Sequence, residues 1–178
     1  MSCFVLSLLL NACTSKVAPK KDNPKPKKAW SDGNSISYNQ EINEREQLKI
    51  AAFLEHRKDY KISVTPSGLR YFIYKKGLST EPLCKAEDVA FVSLKIQVME
   101  DGTVCYETEE GLDEIKIDRN DYESGLNEAL KLMRKGDRAK LILPNHLAHG
   151  LAGDLGKIPP LAILLIDLSL EDVIFATK

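Results

Sequence analysis

The 178-residue chain has no apolar run of membrane-spanning length: its longest, residues 3–10, is about half the roughly 20 residues that a transmembrane helix requires. A polytopic membrane protein is thereby excluded. Net charge is only -1, which argues against a nucleic-acid binder that works by neutralising phosphates. Familiar catalytic signatures are missing as well. With no GxSxG, Walker loop, HExxH or GxGxxG, acyl transfer, phosphoryl transfer and dinucleotide chemistry have no support. No repeat period marks a solenoid.

What is present is an ordinary globular composition, 43% hydrophobic, 29% charged and 7% aromatic, enough for one folded domain and a tail. The near-zero charge hides an asymmetry. Residues 1–30 hold six lysines against one acid, leaving 19 basic and 25 acidic residues in 31–178, so an acidic folded part follows a basic leader. The first thirteen residues, MSCFVLSLLLNAC, set small residues ahead of Cys13 and resemble a bacterial lipoprotein signal. That resemblance implies that Cys13 becomes the lipidated N-terminus, anchoring the chain without spanning the bilayer. It departs from the pattern in having no Lys or Arg before the apolar run. Only Cys84 and Cys105 then remain, and whether they pair stays open, because a disulfide needs Cα atoms within about 7 Å.

Along the chain, residues 14–36 mix Lys, Pro, Ser and Gly without a period and read as a stiffened, solvated tether. Residues 37–64 form an N-terminal helical segment, with a helix expected over 38–60 on a stripe of Ile42, Ile50, Phe53 and Leu54. Strands are expected at 69–74 and 90–98, followed by an Asp101-Gly102 reversal into 103–106 and a short strand around Ile115 and Ile117. Ser124 as an N-cap then opens a short helix through Leu126, Ala129, Leu130 and Met133, which Gly136 closes. Strands at 138–143 and 161–170 flank a loop over 144–160. The result is an α+β fold of about five antiparallel strands wrapping one short helix, preceded by an N-terminal helix.

Within residues 125–170 stand Glu128-Ala129-Leu130 with Met133 and Gly136, then Arg138-Ala139-Lys140-Leu141, Ala148-x-Gly150 with Gly153, Ile158-Pro159-Pro160, and Leu164 with Asp167. This string resembles the C-terminal half of FKBP-type peptidyl-prolyl isomerases. Upstream, Thr65-Pro66-Ser67-Gly68-Leu69 and Glu100-Asp101-Gly102-Thr103 look like the family's first strand and hairpin turn, so that 65–178 is an FKBP-like domain. Leader, tether and helix look like the extensions of envelope lipoprotein members, including those associated with gliding motility in Bacteroidota. The resemblance implies a cell-envelope protein, lipid-anchored at the outer membrane and facing the periplasm, that acts on proline-containing polypeptides without a cofactor.

It also implies a substrate cup. Where the family has a pocket-wall Tyr this chain has Lys95, and Cys105-Tyr106 stand for its Phe-Asp. Leu126 matches the floor Trp and Ile166 the last-strand Phe, while Ile158 is a direct match. The Val-Ile pair before the helix falls at Tyr122-Glu123. His149 stands for the loop Tyr that donates to a substrate carbonyl, and its loss in His149→Phe is expected to leave stability nearly unchanged. Most large aromatics of the cup are thus substituted, which implies weak isomerase activity. The alternative is a non-catalytic chaperone or binding module that uses the same cleft or the 147–160 flap, in which case the cup should be polar. Glu107, Glu109 and Glu110 read as a solvated loop. His146 and His149 form an HxxH with only Asp154 as a third ligand, too little for a metal site.

Overall fold

The computed structural model describes residues 32–119 and 121–177, and for 32–34 the backbone alone. By its internal contacts the chain divides into Met1–Asn39 and Gln40–Lys178. The described part of the first is the opening of helix α1, Asp32–Glu55. Cys13 and nearly all of the tether lie outside the described residues. The helix begins inside the stretch expected to be tether and ends five residues before the expected 60, because His56 to Tyr60 turn back on themselves through Arg57 N–H to Leu54 O and Tyr60 N–H to Arg57 O bonds.

Gln40–Lys178 holds a seven-stranded antiparallel sheet: β1 Ser63–Val64, β2 Arg70–Lys75, β3 Val89–Val98, β4 Val104–Glu107, β5 Asp113–Lys116, β6 Arg138–Leu143 and β7 Leu164–Ile174. Their order is β1-β2-β6-β7-β3-β4, with β5 also paired to β3. Strand β3 alternates strictly, burying Ala90, Val92, Leu94, Ile96 and Val98 while the residues between them stay half exposed. This is the period of two that pleating imposes. Its reversal uses Gly102 at φ +75°, and the Asp101 carboxylate accepts the Thr103 N–H at 2.9 Å, as tight turns favour.

The inner face of the sheet closes on helix α2, Ser124–Leu130, whose Leu126, Ala129 and Leu130 join Leu141, Leu164, Ile166 and Leu168 in the main core. Gly125 permits that contact, since a Cβ there would lie 2.7 Å from Leu143 Cγ. The cap differs from expectation: Glu123 precedes the helix without a side-chain cap, and Ser124, its first residue, donates instead to Leu147 O at 3.3 Å. Burial of Ile142 breaks the alternation of β6. Together with Met99 and Ile163 it packs on the outer face against Ile50, Phe53 and Leu54 of α1. The last strand runs from Leu164 to Ile174 rather than 161–170, because Leu161 sits at φ +60° in a turn.

Candidate functional site

Strand β4 and the connection to β5 border a cleft of about 1030 Å³, lined by Cys105, Tyr106, Glu107, Thr108, Glu109, Glu110 and Asp113, with Val104 and, from the flap, Lys157. Its organising group is Asp113. One carboxylate oxygen accepts the Tyr106 hydroxyl at 2.7 Å and the other the Thr108 hydroxyl at 2.5 Å, which fixes a ring that is otherwise 44% exposed. That hydrogen bond, reinforced by burial, pushes the Tyr106 phenol up to about 12. Cys105 is buried behind it, its Sγ 3.6 Å from Lys157 O, and burial raises its thiol pKa. Both described cysteines, Cys84 and Cys105, are free.

Of the residues expected at the cup, Cys105 and Tyr106 line this cleft among the described residues. Leu126, Ile158 and Ile166 belong to the core with Cys105, and Tyr122 packs half-buried against it. His149 stands apart from the lining: its Nε2 is 3.0 Å from Glu123 Oε1, whose side chain is 7% exposed. His146 Nε2 meets Ser67 O at 2.8 Å, so the two imidazoles of the HxxH serve different partners. No group of three or more metal-ligating side chains occurs among the described residues, and no helix among them is long and apolar enough to cross a membrane.

Lys95, matched to the family's pocket-wall Tyr and expected to carry its charge to the rim, does not face the core. In β3 it alternates with Leu94 and Ile96 and therefore points to the outer face, where its Nζ is 2.9 Å from Glu107 Oε2. Ile96, opposite Ile166 in register, takes the inner face. The carboxylates expected in a solvated loop are indeed exposed, yet they border the cleft.

Three positioning groups escaped the sequence reading. Buried Asn127 accepts the Asp118 N–H at 2.8 Å and donates to Tyr122 O and Glu123 O at 3.4 and 3.2 Å, holding the segment that enters α2. Asp154 accepts the N–H groups of Gly156 and Ile158 at 2.8 and 2.7 Å, which shapes the flap around Ile158 and holds the Asp154 carboxyl below its usual range. Asp113 is the third. An Asp two residues before a Gly is a legible turn signal; nothing in the spacing marks Asn127 or Asp113.

Residues 82–171 match the model of the FKBP-type peptidyl-prolyl cis-trans isomerase family. The chain is 31% identical to the macrophage infectivity potentiator of Trypanosoma cruzi over 142 residues, covering 79% of this chain and 71% of that protein. It is 31% identical to the FKBP-type peptidyl-prolyl cis-trans isomerase FkpA of Escherichia coli K12 over 121 residues, 68% of this chain but 43% of the relative. The chain thus spans under half the length of that FkpA. The crystal structure of FkpA from Escherichia coli superposes with a TM-score of 0.60 at 26% identity, covering 83% of this chain and 75% of that one. Sheet, enclosed helix and matched segment agree, and the chain belongs to the FKBP-type peptidyl-prolyl cis-trans isomerase family.

Proposed function

We propose that the chain catalyses cis–trans isomerisation of X-Pro bonds in exported envelope proteins, weakly, from a lipid anchor at Cys13. The single observation that carries the catalytic part is the cleft held by Tyr106 and Asp113 against the family core. Rotation about an X-Pro amide is opposed by resonance, with a barrier of about 18–20 kcal/mol. A twisted amide has lost that resonance and is less polar than the planar one, so a site that excludes water favours it over the ground state. Such a site needs shape and dryness rather than a nucleophile. Here Tyr106 supplies an aromatic wall and buried Cys105 an apolar contact with the main core, while carboxylates along the rim keep the cleft wetter than a fully aromatic cup. Weak turnover follows from that balance.

The envelope assignment rests on the resemblance of MSCFVLSLLLNAC to a lipoprotein signal and on the Lys- and Pro-rich residues that follow it. A second reading, a non-catalytic chaperone or binding module, is favoured by one observation: four of the nine lining residues are carboxylates. Cis–trans relaxation of a peptide X-Pro bond, followed without a coupled protease, separates the two. Acceleration above the spontaneous rate supports the isomerase, and none at high enzyme concentration leaves the binding module.

A further inference from the structure

The flap and the β3–β4 hairpin meet at the cleft, where Lys157 O lies 3.6 Å from Cys105 Sγ and both residues belong to the lining. At their bases both rest on α1. Glu46 Oε1 accepts the Asn145 N–H at 2.6 Å, where the chain leads into the flap, and fully buried Ile50 packs with Met99, just after β3, and Ile163, just after the flap. Met99 N–H in turn donates to Ile163 O at 2.9 Å. Hairpin and flap are thus tied together under the helix. Lys49 Nζ adds a contact to Glu100 Oε1 at 3.1 Å, which is exposed and individually weak. Within the flap the tie continues, since Asn145 O accepts the Gly150 N–H at 2.8 Å and Gly150 O the Leu161 N–H at 3.0 Å. Glu46 and Ile50 both lie upstream of residues 82–171, the segment matched to the family.

We propose that Glu46 and Ile50 of α1 are positioning residues for the cleft: they hold the bases of the flap and of the hairpin, so that Lys157 and Cys105 meet and the cleft keeps its shape. The proposal rests on the isomerase reading above for the reaction which that shape serves; the brace itself comes from the contacts of α1. Interiors are close-packed, so a displacement at the base of a loop is passed along rather than absorbed. The flap should therefore open as a local unit, and its opening should break the contacts with Ile50.

The test uses full-chain variants at Ile50. Native-state amide hydrogen exchange follows Gly150 and Leu161 in the flap against Leu168 in the core, and both flap amides should exchange ahead of Leu168 in the wild type. Ile50→Ala should speed the flap amides at least about tenfold, and Ile50→Val, which removes one methyl group and keeps the contact, about threefold. Should the alanine variant fail to fold, the valine variant carries the test alone. Leu48→Ala, on the exposed side of the same helix, should leave them within about twofold. A purely structural role would speed Leu168 through global unfolding and leave the flap amides at their wild-type rates. That pattern, or wild-type flap amides no faster than Leu168, would overturn the proposal. Exchange spectroscopy of a blocked Ala-Ala-Pro-Phe peptide on the same samples should show isomerisation slowing along the same series, and a flap that responds while the wild-type rate persists would likewise overturn it. A responsive flap in a chain that never accelerates the peptide would keep the brace and remove the isomerase reading; acceleration with an unresponsive flap would do the reverse.

Discussion

The imidazole of His149, in the flap, is held through Nε2 by the buried carboxylate of Glu123 at the entry to α2, at 3.0 Å. In the tautomer that carries its proton on Nε2, His149 donates to this carboxylate and presents a lone pair at Nδ1. In that tautomer the donor expected for a substrate carbonyl is engaged by Glu123. A second donor exists only on the imidazolium.

This pairing changes what His149→Phe should do. Removing the ring strands a carboxylate that is 7% exposed, and an unsatisfied buried acceptor costs about 1–3 kcal/mol. We expect a loss of that size in urea unfolding, against the near-zero effect read from the sequence. The double variant Glu123→Gln/His149→Phe should recover part of it, because a neutral amide is cheaper to bury than a charge. Strictly additive losses would show that the two groups do not interact.

Alkaline stability should decline over a defined window. Tyr74 is pushed up to about 12, by burial first and then by its bond to Asp167, and Tyr106 reaches about 12 through Asp113 and burial. In the unfolded chain both ionise near 10. Below pH 10 both states keep the protons and the stabilisation is whole. Between 10 and 12 the folded state holds protons that the unfolded state has released, so stability falls as pH rises. Denaturation midpoints at pH 9, 10 and 11 should show the decline, and Tyr74→Phe and Tyr106→Phe should each flatten it.

The strands of this fold were legible because alternation in 90–98 and 138–143 has one physical cause, a pleated sheet with one buried face. The same logic fails where a second layer covers the other face. Ile142 breaks the pattern because α1 packs on it, and no local signal announces a partner about ninety residues away. The cup was harder. Residue matching alone sets Lys95 at a pocket-wall position with its charge reaching the rim, and strand parity turns the whole side chain to the outer face beside Glu107. Asp113, which holds the cleft, and Asn127, which holds the entry to α2, act through a few side-chain hydrogen bonds to nearby loop residues, and such bonds leave no period or motif.

Flap geometry depends on Gly153. It sits at φ +69°, and a Cβ there would come within 2.2 Å of Ile158 O, so Gly153→Ala meets both a disfavoured backbone and a backbone clash. We expect a loss of about 1–3 kcal/mol and an isomerisation rate reduced more than Gly156→Ala reduces it. At Gly156 the nearest atom a Cβ meets is 3.6 Å away. Equal effects of the two substitutions would show that the flap tolerates rearrangement at both positions.

For the proposed anchor, Cys13→Ser should move the chain from the membrane pellet to the soluble fraction of its native host. A single acyl chain binds membranes only marginally, so the wild type should pellet firmly only if Cys13 carries more than one. Equal pelleting of wild type and variant would remove the lipid anchor from the functional reading.

Glu46 joins α1 to the segment that leads into the flap. It is 4% exposed, and its Oε1 accepts the backbone N–H of Asn145 at 2.6 Å. Asn145 opens the 3-10 turn Asn145–Leu147, two residues before His149 begins its contact with Glu123. Glu46 Oε2 is buried without a hydrogen-bond partner, so the carboxylate bears a desolvation cost that one strong bond offsets. Glu46→Ala removes the acceptor and leaves the Asn145 N–H orphaned in a buried site, for a loss of about 1–3 kcal/mol. Glu46→Gln keeps a carbonyl facing Asn145 and sheds the charge, so its loss should be clearly smaller. Amide hydrogen exchange at Asn145 separates the cases: protection should collapse in the alanine variant and persist in the glutamine one. If both exchange like the wild type, the turn is held by its own Leu147 N–H to Pro144 O bond, and α1 contributes only its apolar face.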